Sequence, residues 1–241
     1  MSVEDRRAAR LERYEQLRRE RPPLFVNPPD AAYEIVFDRA AQEEVADAAA
    51  AWLRGAGKPE EYGDIGVVYE DRFVIAVRDA VRFRDGTLGP YIRFLGVHTG
   101  TNAAVLPLLD DGRILLVRHF RHERRTWAWE TPRGFSEDGA DGATTAVKEL
   151  EEEIGVRVTE VELLGRVPGD GGPDEIYLAR LRPESVAGPT LPAGAAAEGI
   201  DEMRLVTVAE LRRMIADGEL DDPYVLAAYA FAVAKGILPV T

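Results

Sequence analysis

Four glutamates, Glu149, Glu151, Glu152 and Glu153, stand within five positions just ahead of Gly155. The spacing predicts a helix from about Thr144 to Ile154, with Val147, Leu150 and Ile154 on one face. Glu149, Glu152 and Glu153 then share the opposite face, because residues three and four apart are helix neighbours. Glu151 points away from that trio. Like charges at this spacing destabilise a helix, and these sit in its last turn, where the macrodipole favours cations. A cation held between them turns the liability into a site, and an all-oxygen ligand set suits a hard ion such as Mg²⁺ or Mn²⁺. The plainer alternative is a solvated acidic face.

The residues ahead of the helix favour the ion site. The stretch Gly134 to Val156, GFSEDGADGATTAVKELEEEIGV, resembles the Nudix box, G-x5-E-x7-R-E-U-x-E-E-x-G-U with U apolar. Gly134, Glu149, Leu150, Glu152, Glu153, Gly155 and Val156 fall on the pattern. Ala140 stands where the box carries Glu, and Lys148 where it carries Arg. The two missing groups have opposite charge and would have formed a pair, and Lys148 is within reach of Glu151 or Glu152. The resemblance implies water attack on a diphosphate, with metal neutralising phosphoryl charge. It implies Glu149 and Glu153 as direct ligands, Glu152 as ligand to a further ion or holder of its water, and the Arg133 backbone carbonyl as one more donor. Gly134 then leaves room for ligand and backbone to approach each other.

The runs VVYEDRFVIAV, LPLLDDGRILLVRHFR and WAWETPRGF resemble the ADP-ribose pyrophosphatase branch of that superfamily. The resemblance implies hydrolysis of a nucleoside diphosphate derivative, ADP-ribose or a nucleotide sugar, to a nucleoside monophosphate and a sugar phosphate. It places a general base on a loop before the last strand, where Glu198 is the best positional match and Glu202 the second, with Asp201 nearby. Arg121 matches a substrate-contacting arginine and is suited to clamping a phosphate or stacking on a base. Of Trp127 and Trp129, one packs in the core and the other stacks on a nucleobase; Trp129 is the candidate for the substrate side, with Gly134 and Glu175 beside it. Asp174-Glu175 resembles an acid pair that follows the box in this branch. His119 and His122 have no third metal-ligand partner and read as surface or packing residues. The rival reading is a Nudix-like ligand-binding or regulatory module with weakened catalysis. Ala140 and Lys148 speak for it; the retention of every expected metal-binding acid speaks against it.

These residues need elements to position them. The branch resemblance implies the α/β/α sandwich of the Nudix fold, an α/β (α+β) class with a mixed sheet, over residues 103–241. A small antiparallel strand region at 65–102 comes before it and, by resemblance, forms a homodimer. Residues 1–64 read as an N-terminal helical extension: helices at 2–21 and 38–53, separated by prolines. Leu11, Tyr14 and Leu17 make a thin stripe on the first, which otherwise reads as a solvated arm or partner-docking helix. Ala41, Val45, Ala48, Ala49 and Trp52 make the stripe of the second. Hairpin turns are expected at Arg84–Thr87 and Asp110–Gly112, a Gly/Pro-rich loop at Pro168–Asp174, and a mobile alanine-rich loop at about 183–199.

The 241 residues carry no cysteine, which removes disulfides, thiol nucleophiles and thiolate metal sites. A formal net charge of −13 argues against nucleic acid as the partner, since no broad basic surface can displace counterions. It leaves a phosphate-bearing small molecule open, because a bound cation supplies local positive charge. No apolar run approaches the roughly 20 residues needed to span a bilayer. The first residues lack a signal peptide's apolar core, so no membrane partner is expected and a cytoplasmic location is.

Overall fold

A computed structural model describes residues 2–169, 172–186 and 191–240. The chain forms two compact units, residues 1–97 and 98–241.

In the first unit, α1 (Val3–Glu20), β1 (Tyr33–Ile35), α2 (Arg39–Gly55), β2 (Gly66–Glu70), β3 (Val74–Phe83) and β4 (Leu88–Gly96) build helices on an antiparallel sheet. Ser2 and Asp5 form a capping box that starts α1, and the Asp38 carboxylate caps α2 through the Ala41 N–H. Strand β3 is central, paired with β4 along Val74–Arg82 and with β2 and β1 on its other side. The β3–β4 turn is the expected one: Gly86 has φ +86°, and Asp85 accepts from Thr87.

The thin stripe of α1 is buried, not solvated: Leu11, Tyr14 and Leu17 are core residues, and the Tyr14 hydroxyl donates to buried Asp79 at 2.5 Å. Arg6, Arg7 and Arg10 converge on the fully buried Asp64 at 2.6, 3.0 and 2.6 Å. Burial pushes the Asp64 carboxyl up, but hydrogen bonds from Arg6 and Arg7 outweigh it and leave it below the usual range. Charge, as much as apolar area, binds α1 here. The stripe of α2 is rotated from the expected one: Gln42, Val45, Ala46, Ala50 and Leu53 are buried, and Trp52 is 73% exposed.

The second unit holds a seven-stranded mixed sheet. Along β11 (Ile200–Val206), β6 (Ile114–Arg121), β5 (Ala103–Leu109), β10 (Gly172–Leu181) and β9 (Glu162–Gly169), only β5 and β10 run parallel. Strands β5 and β6 share a single pair, Leu108–Ile114, and then diverge. The gap is filled by β7 (Thr126–Glu130) on β6 and the two-residue β8 (Arg133–Gly134) on β5. Helix α3 (Gly142–Ile154) covers one sheet face with Leu150, Ile154 and Ala146. Helices α4 (Val208–Ala216) and α5 (Pro223–Ala234) cover the other. The expected sandwich and mixed sheet are therefore present.

The Pro168–Asp174 loop is mostly strand instead. Pairing runs on through Pro168–Pro173 and Gly169–Gly172, and only 170–171 lie outside the described residues. Of the alanine-rich loop, 187–190 also lie outside them. Among the described residues, no helix is long and apolar enough to cross a membrane.

Candidate active site

Helix α3 starts two residues before the expected point because Asp141 caps it, accepting from the Thr144 N–H at 2.8 Å. Gly155, at φ +71°, ends it in the left-handed conformation a glycine adopts without strain. The acidic trio does not stay on one solvated face. Glu149 and Glu153 are 6% and 3% exposed, on the same side as Ala146 and Leu150, whereas Glu152 remains at the surface. The reason is β8. Gly134 passes so close beneath α3 that a Cβ at this position would overlap the Glu149 carboxylate. The Gly134→Ala variant is therefore expected to displace the Glu149 carboxylate and to lose any metal-dependent activity. A variant that turns over normally would contradict this packing.

Two buried carboxylates one turn apart disfavour ionisation. Burial, then the charges of Glu152 and Glu198, push Glu149 up to about 7. Burial, then Glu149, push Glu153 up to about 9, while a backbone hydrogen bond from Arg133 works the other way. Glu153 Oε2 is buried without a hydrogen-bond partner. An uncompensated pair of this kind calls for a cation, and its donors are all hard oxygens. Among the described residues, no three acidic or imidazole side chains enclose an ion by themselves.

Glu198 lies on the turn before β11, and its charge is felt at both Glu149 and Glu153. Burial, followed by Glu152, raises its own pKa. Glu202 sits elsewhere, on β11 opposite Arg118, with which it pairs at 3.4 Å beside the 2.6 Å Asp201–Arg118 bridge. His119, read as a surface or packing residue, is half-buried beneath this turn; burial and then Arg121 lower its pKa.

Lys148 lies 3.0 Å from Glu137 and 3.7 Å from Glu152. Glu151 turns instead to Arg157. An ion pair between the box loop and α3 thus exists, carried by Glu137 and not by position 140. Glu137 was not legible beforehand, because only the path of the loop brings it to Lys148.

On the α5 side of β8 lies a buried polar chain. Arg121 donates its Nε to Glu130 at 2.7 Å and makes a second, shorter contact through Nη2. Arg133 reaches Glu130 at 3.1 Å and Asp222 at 3.3 Å, with its guanidinium 4.4 Å from the Tyr224 ring centre. The Tyr224 hydroxyl donates to Asp174 at 2.6 Å, Asn102 donates to Asp174 at 3.1 Å, and Ser136 N–H donates to Asn102 Oδ1 at 3.1 Å. Burial opposes ionisation of Glu130, but Arg121 and Arg133 outweigh it and hold the carboxyl below its ordinary range. The sequence carried one sign of Glu130: in TWAWE it alternates onto the inward face with Ala128.

Trp129 packs against the core under α4 and α5, with Arg204 over its ring at 5.7 Å. Trp127 is the more exposed of the two, edge-on to Phe120 and covered by Arg118. Glu175 pairs with Arg166 at 2.7 Å, and its other oxygen fills the space over Gly142 at the start of α3. The structure thus gathers Glu149, Glu153, Glu198, Gly134 and the Arg133 backbone in one place. Arg121 is held by Glu130, and its charge also reaches Glu153, whereas Trp129, Glu175 and Glu202 are engaged elsewhere.

A mixed sheet between helices defines an α/β/α-sandwich protein, and the two buried carboxylates of one helix set against a bare glycine are groups that could hold a hard cation. The NUDIX domain sequence model matches residues 98–229, more than half of the chain, and the protein belongs to this family. It is 37% identical over 120 residues to the CMP-5′-(N-acetyl-N-hydroxy-3-aminopropyl)phosphonate hydrolase of Streptomyces rubellomurinus, covering 44% of this chain and 58% of that one. It is 36% identical over 75 residues to the ADP-ribose pyrophosphatase of Bacillus subtilis, covering 30% and 40%. The match thus spans about half the length of these relatives. A solved structure of an ADP compounds hydrolase superposes with a TM-score of 0.52 over 71% of this chain and 93% of that one, at 16% identity, and shares the fold.

Proposed function

We propose that this protein hydrolyses the diphosphate linkage of a nucleoside diphosphate derivative, ADP-ribose or a nucleotide sugar first, releasing a nucleoside monophosphate and a sugar phosphate. The observation that carries the proposal is the buried pair Glu149 and Glu153 packed on Gly134, with Glu198 alongside. The names of the two relatives, a hydrolase of a CMP-linked phosphonate and an ADP-ribose pyrophosphatase, support it.

Glu149, Glu153 and the Arg133 carbonyl would hold Mg²⁺ or Mn²⁺, with Glu152 at the outer edge for a further ion or its water. Two carboxylates and a carbonyl leave coordination positions for water and substrate phosphate, as Mg²⁺ prefers. When bound, the ion neutralises charge on the phosphoryl oxygens. The protein's own groups do the rest. Gly134 keeps the backbone low enough for the phosphate to approach. Glu198, an exposed carboxylate beside the pair, takes the proton from the attacking water. The Arg121–Glu130–Arg133 chain fixes β8 from below, so Arg121 acts in positioning the Arg133 carbonyl. The Lys148–Glu137 contact weakens the case for a purely ligand-binding module, since the box loop retains an ionic tie to α3.

The test is incubation with Mg²⁺ or Mn²⁺ and a panel of nucleoside diphosphate derivatives, with product analysis and an EDTA control. Metal-dependent release of nucleoside monophosphate is expected. Binding of such compounds with no product from any of them would move the reading to the regulatory module.

A further inference from the structure

We propose that Phe135 is the platform on which the nucleobase of the substrate stacks. The assignment rests on the diphosphate-hydrolase reading and extends it to recognition of the base. Phe135 is 73% exposed, yet its backbone is held on both sides. On one side Gly134 pairs with Ala103 in the sheet and lies against the Glu149 carboxylate. On the other, Ser136 is 3% exposed, its N–H bound to Asn102. The buried chain from Arg133 through Tyr224 and Asp174 to Asn102 ends at this same Ser136, so it clamps residues 133 and 136 and leaves the 135 side chain outside. Phe135 has no ring or guanidinium contact of its own among the described residues.

A benzyl side chain left in water on a rigid backbone gains nothing for the fold. It follows directly on Gly134, whose backbone lies against the Glu149 carboxylate, and offers a flat apolar face to a ligand seated there, at little cost in conformational entropy. The other aromatics near the box are occupied. Trp129 is packed into the core, and Trp127 is held between Phe120 and Arg118. Every nucleobase has a stacking face, so a phenyl platform without hydrogen-bond readout accepts purine and pyrimidine derivatives alike and favours the larger ring. The substrate class follows: nucleoside diphosphate derivatives with a loosely specified base.

The test uses the full chain with Mg²⁺ and two competitive inhibitors of hydrolysis, adenosine 5′-monophosphate, which has a base, and ribose 5-phosphate, which has none. In Phe135→Ala, inhibition by the nucleotide is expected to weaken about tenfold, the size of one base–aromatic stack, while that by ribose 5-phosphate stays within about twofold. The loss falls on KM for the nucleotide substrate. Phe135→Trp restores binding, and Phe135→Leu, which keeps apolar bulk without a flat ring, does not. The melting temperature changes little because most of the side chain is exposed. Equal weakening of both inhibitors, or of neither, overturns the assignment. If the wild type cleaves no diphosphate at all, the hydrolase reading fails separately. Calorimetric titration with adenosine 5′-monophosphate then decides the platform alone: binding that Phe135→Ala abolishes supports it, and binding that persists overturns it.

Discussion

In Glu153→Gln, metal-dependent turnover is expected to fall by more than about 100-fold, because even outer-shell partners of a metal cost 10- to 100-fold when removed. The same substitution is expected to stabilise the metal-free protein. Glu153 is 3% exposed, one oxygen has no partner, and burial with Glu149 alongside raises it to about 9. A neutral amide of the same shape removes the cost of holding that carboxyl protonated in the fold. A group whose folded pKa lies above its unfolded value binds more protons when folded, so stability falls as pH rises between the two values. For Glu149 that window runs from the ordinary value of 4.5 to about 7, and for Glu153 from 4.5 to about 9.

The buried pair therefore costs the metal-free fold progressively more as pH rises through this range. In EDTA, the wild-type melting temperature should therefore drop from mildly acid to mildly alkaline pH, and Glu153→Gln should show a flatter profile. Adding Mg²⁺ should raise the wild-type value most at high pH, where the ion takes the place of the proton. The variant should lose most of that gain. Thermal melts at several pH values, with and without Mg²⁺, check all of this. A wild-type profile that is flat with pH would remove the basis for the ion seat.

The second large effect separates two loop acids only four residues apart. Glu198→Gln is expected to reduce kcat by about 10²-fold or more, the usual contribution of a positioned general base. Glu202→Gln is expected to change it by no more than a few fold, because Glu202 is a surface partner of Arg118, and exposed pairs carry roughly 0–1 kcal/mol. Of the two, Glu198 alone is among the charges acting on the buried carboxylates. Steady-state rates of the two variants at saturating Mg²⁺ decide the matter; equal losses in both would shift the base to another residue.

Much of this site was readable from residue spacing. The glutamates around Leu150, the glycine before them and the helix-ending Gly155 are local features, and a helix places i, i+3 and i+4 together whatever surrounds it. The β3–β4 turn and the existence of the helices also follow from short-range patterns, whereas the mixed sandwich was implied by the resemblance to the Nudix family. Periodicity missed the rotation of α2 and α3 about their axes, though it placed the buried stripe of α1. In α3 the acids Glu149 and Glu153 lie on the buried side, and in α2 Trp52 faces outward. Hydrophobicity alone assigns acids to water and tryptophan to the core; the bare surface of Gly134 reverses the first assignment.

Contacts between distant segments needed the folded chain. Asp64 draws Arg6, Arg7 and Arg10 across more than fifty residues, and Glu137 rather than residue 140 meets Lys148. The choice of Glu198 over Glu202 depends on the register of β11 against β6, which sets Glu202 opposite Arg118. The exposure of Phe135 depends on the clamp formed by Arg133 and Ser136. The sequence by itself determined that a helix would carry closely spaced carboxylates behind a glycine, because helical geometry and charge are local properties. The tertiary structure decided which of those carboxylates are buried, which loop acid joins them and which ring is left free, because burial depends on the segments that pack from elsewhere in the chain.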